Sequence, residues 1–202
     1  GGGLQKRLAA SAHVHRAREP ALQPVGQTGA MLSRLELVEP GILARRLQRS
    51  HHSAIITATT YSGGMLGDGN GWVTAPNGTK LWGVHGAAGL FLIAGSGTSA
   101  RVLLQHRATW TAQGGTWGIP GGAIDSHETP ATAALRESVE ECAIDPALVT
   151  VVDTFVSTSF PNWTYTTVIA LCDEPLTVTA NEESEELRWV PLDSLPSFAL
   201  HP

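Results

Sequence analysis

Glu137, Glu140 and Glu141 stand at i, i+3 and i+4 within residues 121–144, GGAIDSHETPATAALRESVEECAI, a stretch that also carries Glu128 and Arg136 behind a glycine pair. On a helix turning by about 100° per residue, the three carboxylates fall within an arc of roughly 100°. Hard divalent cations such as Mg²⁺ or Mn²⁺ take oxygen ligands, keep several waters, and are held by a few carboxylates together with substrate phosphates. The spacing therefore points to a metal site for phosphate chemistry. The plainer alternative is a solvated acidic helix face.

The helix that must present these groups is readable from the same stretch. Ala131, Leu135, Val139 and Cys142 recur at helical spacing and predict an apolar stripe that packs on a sheet while the acidic arc points away. Thr129 followed by Pro130 suits an N-cap and first helical residue, since proline has no amide proton to lose there. The helix is expected to run from Pro130 to near Ala143.

Over the longer span the segment resembles the Nudix box, G-x5-E-x7-R-E-U-x-E-E-x-G-U with U a bulky apolar residue. Gly122, Glu128, Arg136, Glu137, Glu140, Glu141 and Ile144 match in register. Ser138 stands where an apolar residue is usual, and Ala143 replaces the last glycine, which bears on how the helix ends. The resemblance covers roughly residues 70–195. It implies an α/β/α sandwich around a mixed sheet, and hydrolysis of a phosphoanhydride bond in a nucleoside diphosphate linked to another moiety.

The resemblance also implies roles. Glu137, Glu140 and Glu141 would bind Mg²⁺ or Mn²⁺ with the carbonyl of Gly122, and Arg136 would orient Glu137 through a charge-assisted hydrogen bond. Glu128 is expected to support the junction between loop and helix. A general base must reach the attacking water; Glu140 is the first candidate, and Glu185, from the acidic run at residues 181–186, is the second. Arg107 is a candidate phosphate contact. Trp110, Trp117, Trp163 and Tyr165 are candidates for stacking on a base, with core or rim packing as the alternative. A catalytically weak binding module that senses a nucleotide or a partner is the competing functional reading, motivated by Ser138, Ala143, the basic N-terminal part and the short C-terminus.

Composition sets outer bounds. The 202 residues are 42% hydrophobic and 15% charged, which suits a globular chain. No apolar run is long enough to span a membrane. Residues 1–55 carry 8 Lys+Arg against 3 Asp+Glu, whereas the remainder carries 5 against 15. The acidic remainder makes a poor surface for a nucleic-acid polymer, which is gripped mainly by Lys and Arg. Cys142 and Cys172, the only cysteines, are expected as buried thiols, consistent with a cytoplasmic setting.

Along the chain, residues 1–55 are expected to form a tail and accessory arm, and residues 56–202 the catalytic domain. The first 30 residues read as a tail or processing remnant with Met31 as a candidate start, and residues 31–50 as a short helix broken at Pro40 and Gly41. His13, His15, His51 and His52 lack the further paired ligands of a zinc site. Residues 71–74 and 80–84 flank a hairpin turn. Strands are expected over residues 87–94, 101–107, 149–157, 164–172, 176–179 and 187–190. The family resemblance implies a further helix after Pro191, where the sequence offers about one turn before His201 and Pro202. A missing helix would leave a sheet face partly bare and favour a homodimer.

Overall fold

The computed structural model describes residues 67–201. The expectations for residues 1–55, including the tail, the arm and its histidines, lie outside the described residues. A small hairpin comes first, with β1 (Trp72–Thr74) antiparallel to β2 (Lys80–Trp82). The main sheet contains β3 (Ala87–Ala94), β4 (Arg101–Arg107), β5 (Trp117–Gly118), β6 (Gly121–Ala123), β7 (Thr150–Phe160), β8 (Trp163–Cys172) and β9 (Ser184–Pro191). Residues 176–179, expected as a strand, are not one. The helix α1 (Pro130–Cys142) lies between β6 and β7 in the chain.

Every residue of β3 is buried, as expected for an apolar strand covered on both faces. It pairs in parallel with β8 along its full length, from Ala87 opposite Tyr165 to Ala94 opposite Cys172. The mixed sheet of the sequence reading is therefore present. Its other edge is divided. β3 meets β4 only through Ile93 with Val102 and Ala94 with Arg101. Further along, β3 pairs with β6, while β4 pairs with β5. The sheet thus splits into one arm of β6, β3, β8 and β7 and another of β5, β4 and β9.

Two apolar layers flank the sheet. On one face Leu90, Leu92, Leu103, Val168 and Ala170 pack beneath Ala133, Ala134 and Cys142 of α1. On the other, Phe91, Ile93, Val102, Leu104, Ile169 and Val190 are covered by Leu195, fully buried in the 3-10 segment Leu192–Ser197. That segment, with Phe198 and Leu200 behind it, covers the face on which a second helix was expected. Both cysteines are buried free thiols, and burial pushes both well above the usual thiol range. No helix among the described residues is long and apolar enough to cross a membrane.

Candidate active site

Helix α1 begins as its sequence dictates: the Thr129 hydroxyl accepts from the Thr132 N–H at 3.2 Å, and Pro130 occupies the first turn. Its packing face differs from the expected stripe. Ala133, Ala134, Ser138, Glu141 and Cys142 are buried, whereas Val139 is 41% exposed. The buried row is centred about a residue away from the apolar stripe, because small residues allow α1 close to the sheet and Ser138 satisfies its hydroxyl internally. Its Oγ donates to the Ala134 carbonyl at 2.7 Å. Ala143 ends the helix at φ 56°, ψ 34°, and its N–H reaches the Ser138 and Val139 carbonyls. An alanine thus serves where glycine would be free of strain.

Arg136 is the hub of the loop-helix junction. Its Nε and Nη2 donate to the two Glu128 oxygens at 2.8 and 3.0 Å, and Nη2 also reaches the Ala123 carbonyl at 2.9 Å. Nη1 donates to Glu137 at 2.9 Å and to Glu140 at 3.3 Å. A bidentate guanidinium of this kind fixes both orientation and charge. Burial opposes ionisation of Glu128, but Arg136 and the Asp125 N–H outweigh it and hold the carboxyl below its usual range. The Glu128 contacts, foremost, raise Arg136 far above the usual guanidinium value.

The three helix glutamates differ in exposure. The Glu140 side chain is 55% exposed and that of Glu137 only 15%. Glu141 is buried, and its carboxylate accepts from the Gly121 N–H at 2.9 Å. Glu141 therefore leaves the solvent arc and enters the split between the sheet arms. Burial first, and then the Glu137 charge, push its carboxyl up to about 8 against the pull of Gly121, Gln105 and Arg107. Burial likewise raises Glu137, with Arg136 opposing and the Glu140 and Glu183 charges adding. Gly122 stands so close to Glu137 that a Cβ there would meet its carboxylate oxygen at 2.5 Å. Clustered, partly desolvated carboxylates beside bare glycine backbone form a hard oxygen donor set suited to Mg²⁺ or Mn²⁺.

The acidic run after β8 is docked on the end of α1. The Thr179 N–H donates to the Cys142 carbonyl at 2.9 Å and the Asn181 N–H to the Glu141 carbonyl at 3.2 Å, while the Ala108 N–H holds the Glu183 carbonyl at 2.8 Å. A register shift then follows: His106 pairs with Glu186 and Arg107 with Ser184. Glu185 falls in the bulge, where it accepts from the Thr109 N–H at 3.2 Å and meets His106 Nδ1 at 3.2 Å. Glu183, rather than Glu185, is the loop acid whose charge reaches Glu137. The run of four glutamates carries no signal for this choice, because the bulge alone decides it.

Arg107 is half-buried, donates through Nε to the Ala112 carbonyl at 3.1 Å, and acts electrostatically on Glu141. Trp117 is flanked by His106 at 4.8 Å, Phe198 at 5.3 Å and the Arg188 guanidinium at 4.9 Å, packed on the layer opposite α1. Trp163 is buried, and its Nε1 donates to the Trp82 carbonyl at 3.1 Å, tying the first hairpin to β8. Trp117 thus packs against His106, Phe198 and Arg188, and Trp163 is tied into the fold through its N–H, in line with the core or rim packing given as the alternative to base stacking. Trp110, on the turn after Arg107, remains 67% exposed.

Two groups have no counterpart in the sequence reading. Gln105 is fully buried on β4, where its Nε2 donates to Ser184 Oγ at 2.8 Å; it follows the apolar Val102–Leu104 and precedes His106 and Arg107, so the strand pattern did not single it out. Asp68, Asp125 and His127 also converge. Asp125, however, accepts from the Gly67 and Gly69 N–H groups at 2.9 and 2.8 Å, and Asp68 accepts from the Ser126 N–H and hydroxyl. These bonds clip the segment before β1 to the loop that leads into α1.

The family model of the NUDIX domain matches residues 83–202. The chain is 50% identical over 149 residues to the Mycobacterium tuberculosis protein named putative 8-oxo-dGTP diphosphatase 3, an alignment covering 70% of this chain and 68% of the relative. It is 45% identical over 138 residues to a Bifidobacterium longum protein named nucleoside triphosphate pyrophosphatase/Nudix hydrolase fusion protein, covering 65% of this chain and 28% of that one. Among solved structures, the M. smegmatis Nudix hydrolase RenU matches with a TM-score of 0.63 and 49% identity, over 66% of this chain and 87% of that one. With its box residues gathered around one helix and one split sheet, the chain belongs to the Nudix family and is a Nudix hydrolase.

Proposed function

We propose that the chain is a divalent-cation-dependent pyrophosphohydrolase acting on a nucleoside diphosphate linked to another moiety. The observation that carries this reading is the arrangement of the glutamates: Glu137 and Glu141 are drawn in beside Gly121 and Gly122, while Glu140 stays open to solvent. Glu137, Glu140, Glu141 and the Gly122 carbonyl would hold Mg²⁺ or Mn²⁺. When bound, the cation screens phosphoryl charge and acidifies the attacking water.

The chain's own groups supply the rest. Arg136 keeps Glu137 in place, Arg107 stands near Glu141 as the phosphate contact, and Glu140 accepts the proton of the attacking water. Glu185 is the less favoured base because His106 and Thr109 already engage it. Two of the motives for a non-catalytic sensor have local answers. Ser138 is satisfied within the helix, and Ala143 still closes it.

An oxidised purine nucleoside triphosphate is the first substrate to test, since the 50% identical relative bears a name of that class. Purified protein with Mg²⁺ or Mn²⁺ is expected to release phosphate or pyrophosphate from a nucleotide panel that also includes ADP-ribose and dinucleoside polyphosphates. Glu140→Gln is expected to lower kcat by about 10²–10⁴-fold, the usual range for loss of a general base. Turnover unaffected by that substitution would refute the assignment.

A further inference from the structure

Granted the pyrophosphohydrolase reading, on which this rests, we propose that the Tyr165 hydroxyl is a substrate-binding group: it hydrogen-bonds the nucleoside portion of the bound nucleotide on the face of the sheet opposite α1.

Alternation along β3 puts Ala88 and Leu90 in the layer beneath α1 and Phe91 and Ile93 in the other, so Gly89 belongs to the second face. On β8 that face holds Ile169 and Leu171, and with them Thr167 and Tyr165. Gly89 is the one glycine of a fully buried strand, where it weakens the sheet unless another group needs the space. The Tyr165 hydroxyl takes that space. A Cβ on Gly89 would run into it, and would meet Ile119 Cδ1 at 2.8 Å.

Gly89 also stands directly opposite Gly121, whose N–H holds Glu141. The hydroxyl therefore rests on the strand pair that also anchors the buried glutamate. Ile119, its neighbour over Gly89, lies in the link between β5 and β6 that spans the split between the sheet arms.

What the hydroxyl lacks is a partner. Thr167 Oγ1 donates to Ser157 Oγ at 3.0 Å, and Ser157 Oγ donates to the Tyr165 carbonyl at 3.4 Å, so the hydroxyls beside it are satisfied within the fold. The Tyr165 hydroxyl makes no hydrogen bond to any described residue. A tyrosine hydroxyl in a packed site ordinarily finds one. It is not sealed away either, because Gln105 Oε1 is the only fully buried side-chain polar atom without a partner among the described residues. Phosphates drawn to the glutamates of α1 leave the nucleoside to extend through the split. Its sugar and base carry the oxygens and nitrogens that a phenol hydroxyl meets as donor or acceptor.

Steady-state kinetics of the full chain on 8-oxo-dGTP with Mn²⁺, read beside a Mn²⁺ titration and metal-free thermal unfolding, tests this contact. Tyr165→Phe keeps the ring and removes only the hydroxyl. It is expected to raise KM about fivefold with kcat close to wild type, and to leave the Mn²⁺ Kd and the metal-free Tm unchanged. A lowered Tm would show that the hydroxyl serves the fold, and a weakened Mn²⁺ Kd that it serves the cation site; either overturns the nucleoside contact. Should 8-oxo-dGTP not be hydrolysed, ADP-ribose and a dinucleoside polyphosphate are the next substrates. A wild-type chain that turns over none of them overturns the proposed function and this contact with it, whereas wild-type turnover with an unchanged KM in Tyr165→Phe overturns the contact alone.

Discussion

The Gly121 N–H donates to the Glu141 carboxylate at 2.9 Å, so the glycine pair and the acidic helix meet in one hydrogen bond across 20 residues of sequence. This contact turns a helix face into a site, because it draws one carboxylate out of water and against strand backbone. Its neighbour Gly122 is bare for a related reason: Glu137 occupies the space beside it.

A methyl group at that place should displace the ligand before it disturbs the fold. Gly122→Ala is expected to push Glu137 away from β6, weaken Mn²⁺ binding about tenfold or more, and lower hydrolysis in step, with little change in metal-free Tm. The clash is with the end of a side chain, which can move. Wild-type Mn²⁺ affinity in this variant would show that Glu137 does not serve the cation where it stands.

The buried carboxyl makes metal binding a proton exchange. Glu141 has an ordinary value of 4.5 and is pushed up to about 8 in the fold. Between those pH values the unfolded chain gives up a proton that the folded chain keeps. The metal-free protein is therefore expected to lose stability as pH rises through this window. A bound cation displaces the proton, so Mn²⁺ binding at pH 7 should release protons and release fewer above pH 8. Calorimetry in buffers of differing ionisation enthalpy measures this; binding without proton release at pH 7 would contradict it.

The two loop glutamates should behave differently. Glu183→Gln removes a charge that acts on Glu137 and is expected to weaken Mn²⁺ binding several-fold. Glu185→Gln removes an exposed contact with His106, worth at most about 1 kcal/mol of stability, and should leave kcat close to wild type. The reverse ranking, read from kcat and Mn²⁺ titrations, would restore Glu185 as the loop acid of the site.

Replacing Ala143 tests the departure from the box directly. Ala143→Gly relieves the left-handed strain but adds freedom to the unfolded chain, so a net gain of roughly 0.5–1 kcal/mol is expected. Denaturant unfolding would detect it. A loss of stability would mean that the methyl group packs usefully.

Trp110, three residues after Arg107 in the chain, is an exposed aromatic ring. Stacking of a base on an aromatic side chain contributes about 1–3 kcal/mol. If the substrate base rests there, Trp110→Ala should raise KM roughly fivefold or more while kcat changes little. Steady-state kinetics on the preferred nucleotide checks this, and an unchanged KM would remove the ring from the binding surface.

Local signals in the chain determined the elements. Thr129 and Pro130 start α1 where expected, the apolar runs Ala87–Ala94 and Arg101–Arg107 are strands over those same residues, and the box spacing brings Arg136 to Glu137 and Glu140. These features depend on neighbours a few residues apart, and periodicity and capping carry that information. Only the tertiary structure decided that Glu141 is buried rather than exposed, that Gln105 is buried against Ser184, that Trp117 and Trp163 are packed, and that Glu185 turns away into a bulge. Each of those outcomes follows from how two arms of one sheet diverge and how α1 seats on them. That geometry arises from contacts between distant segments, which no local pattern of residue types encodes.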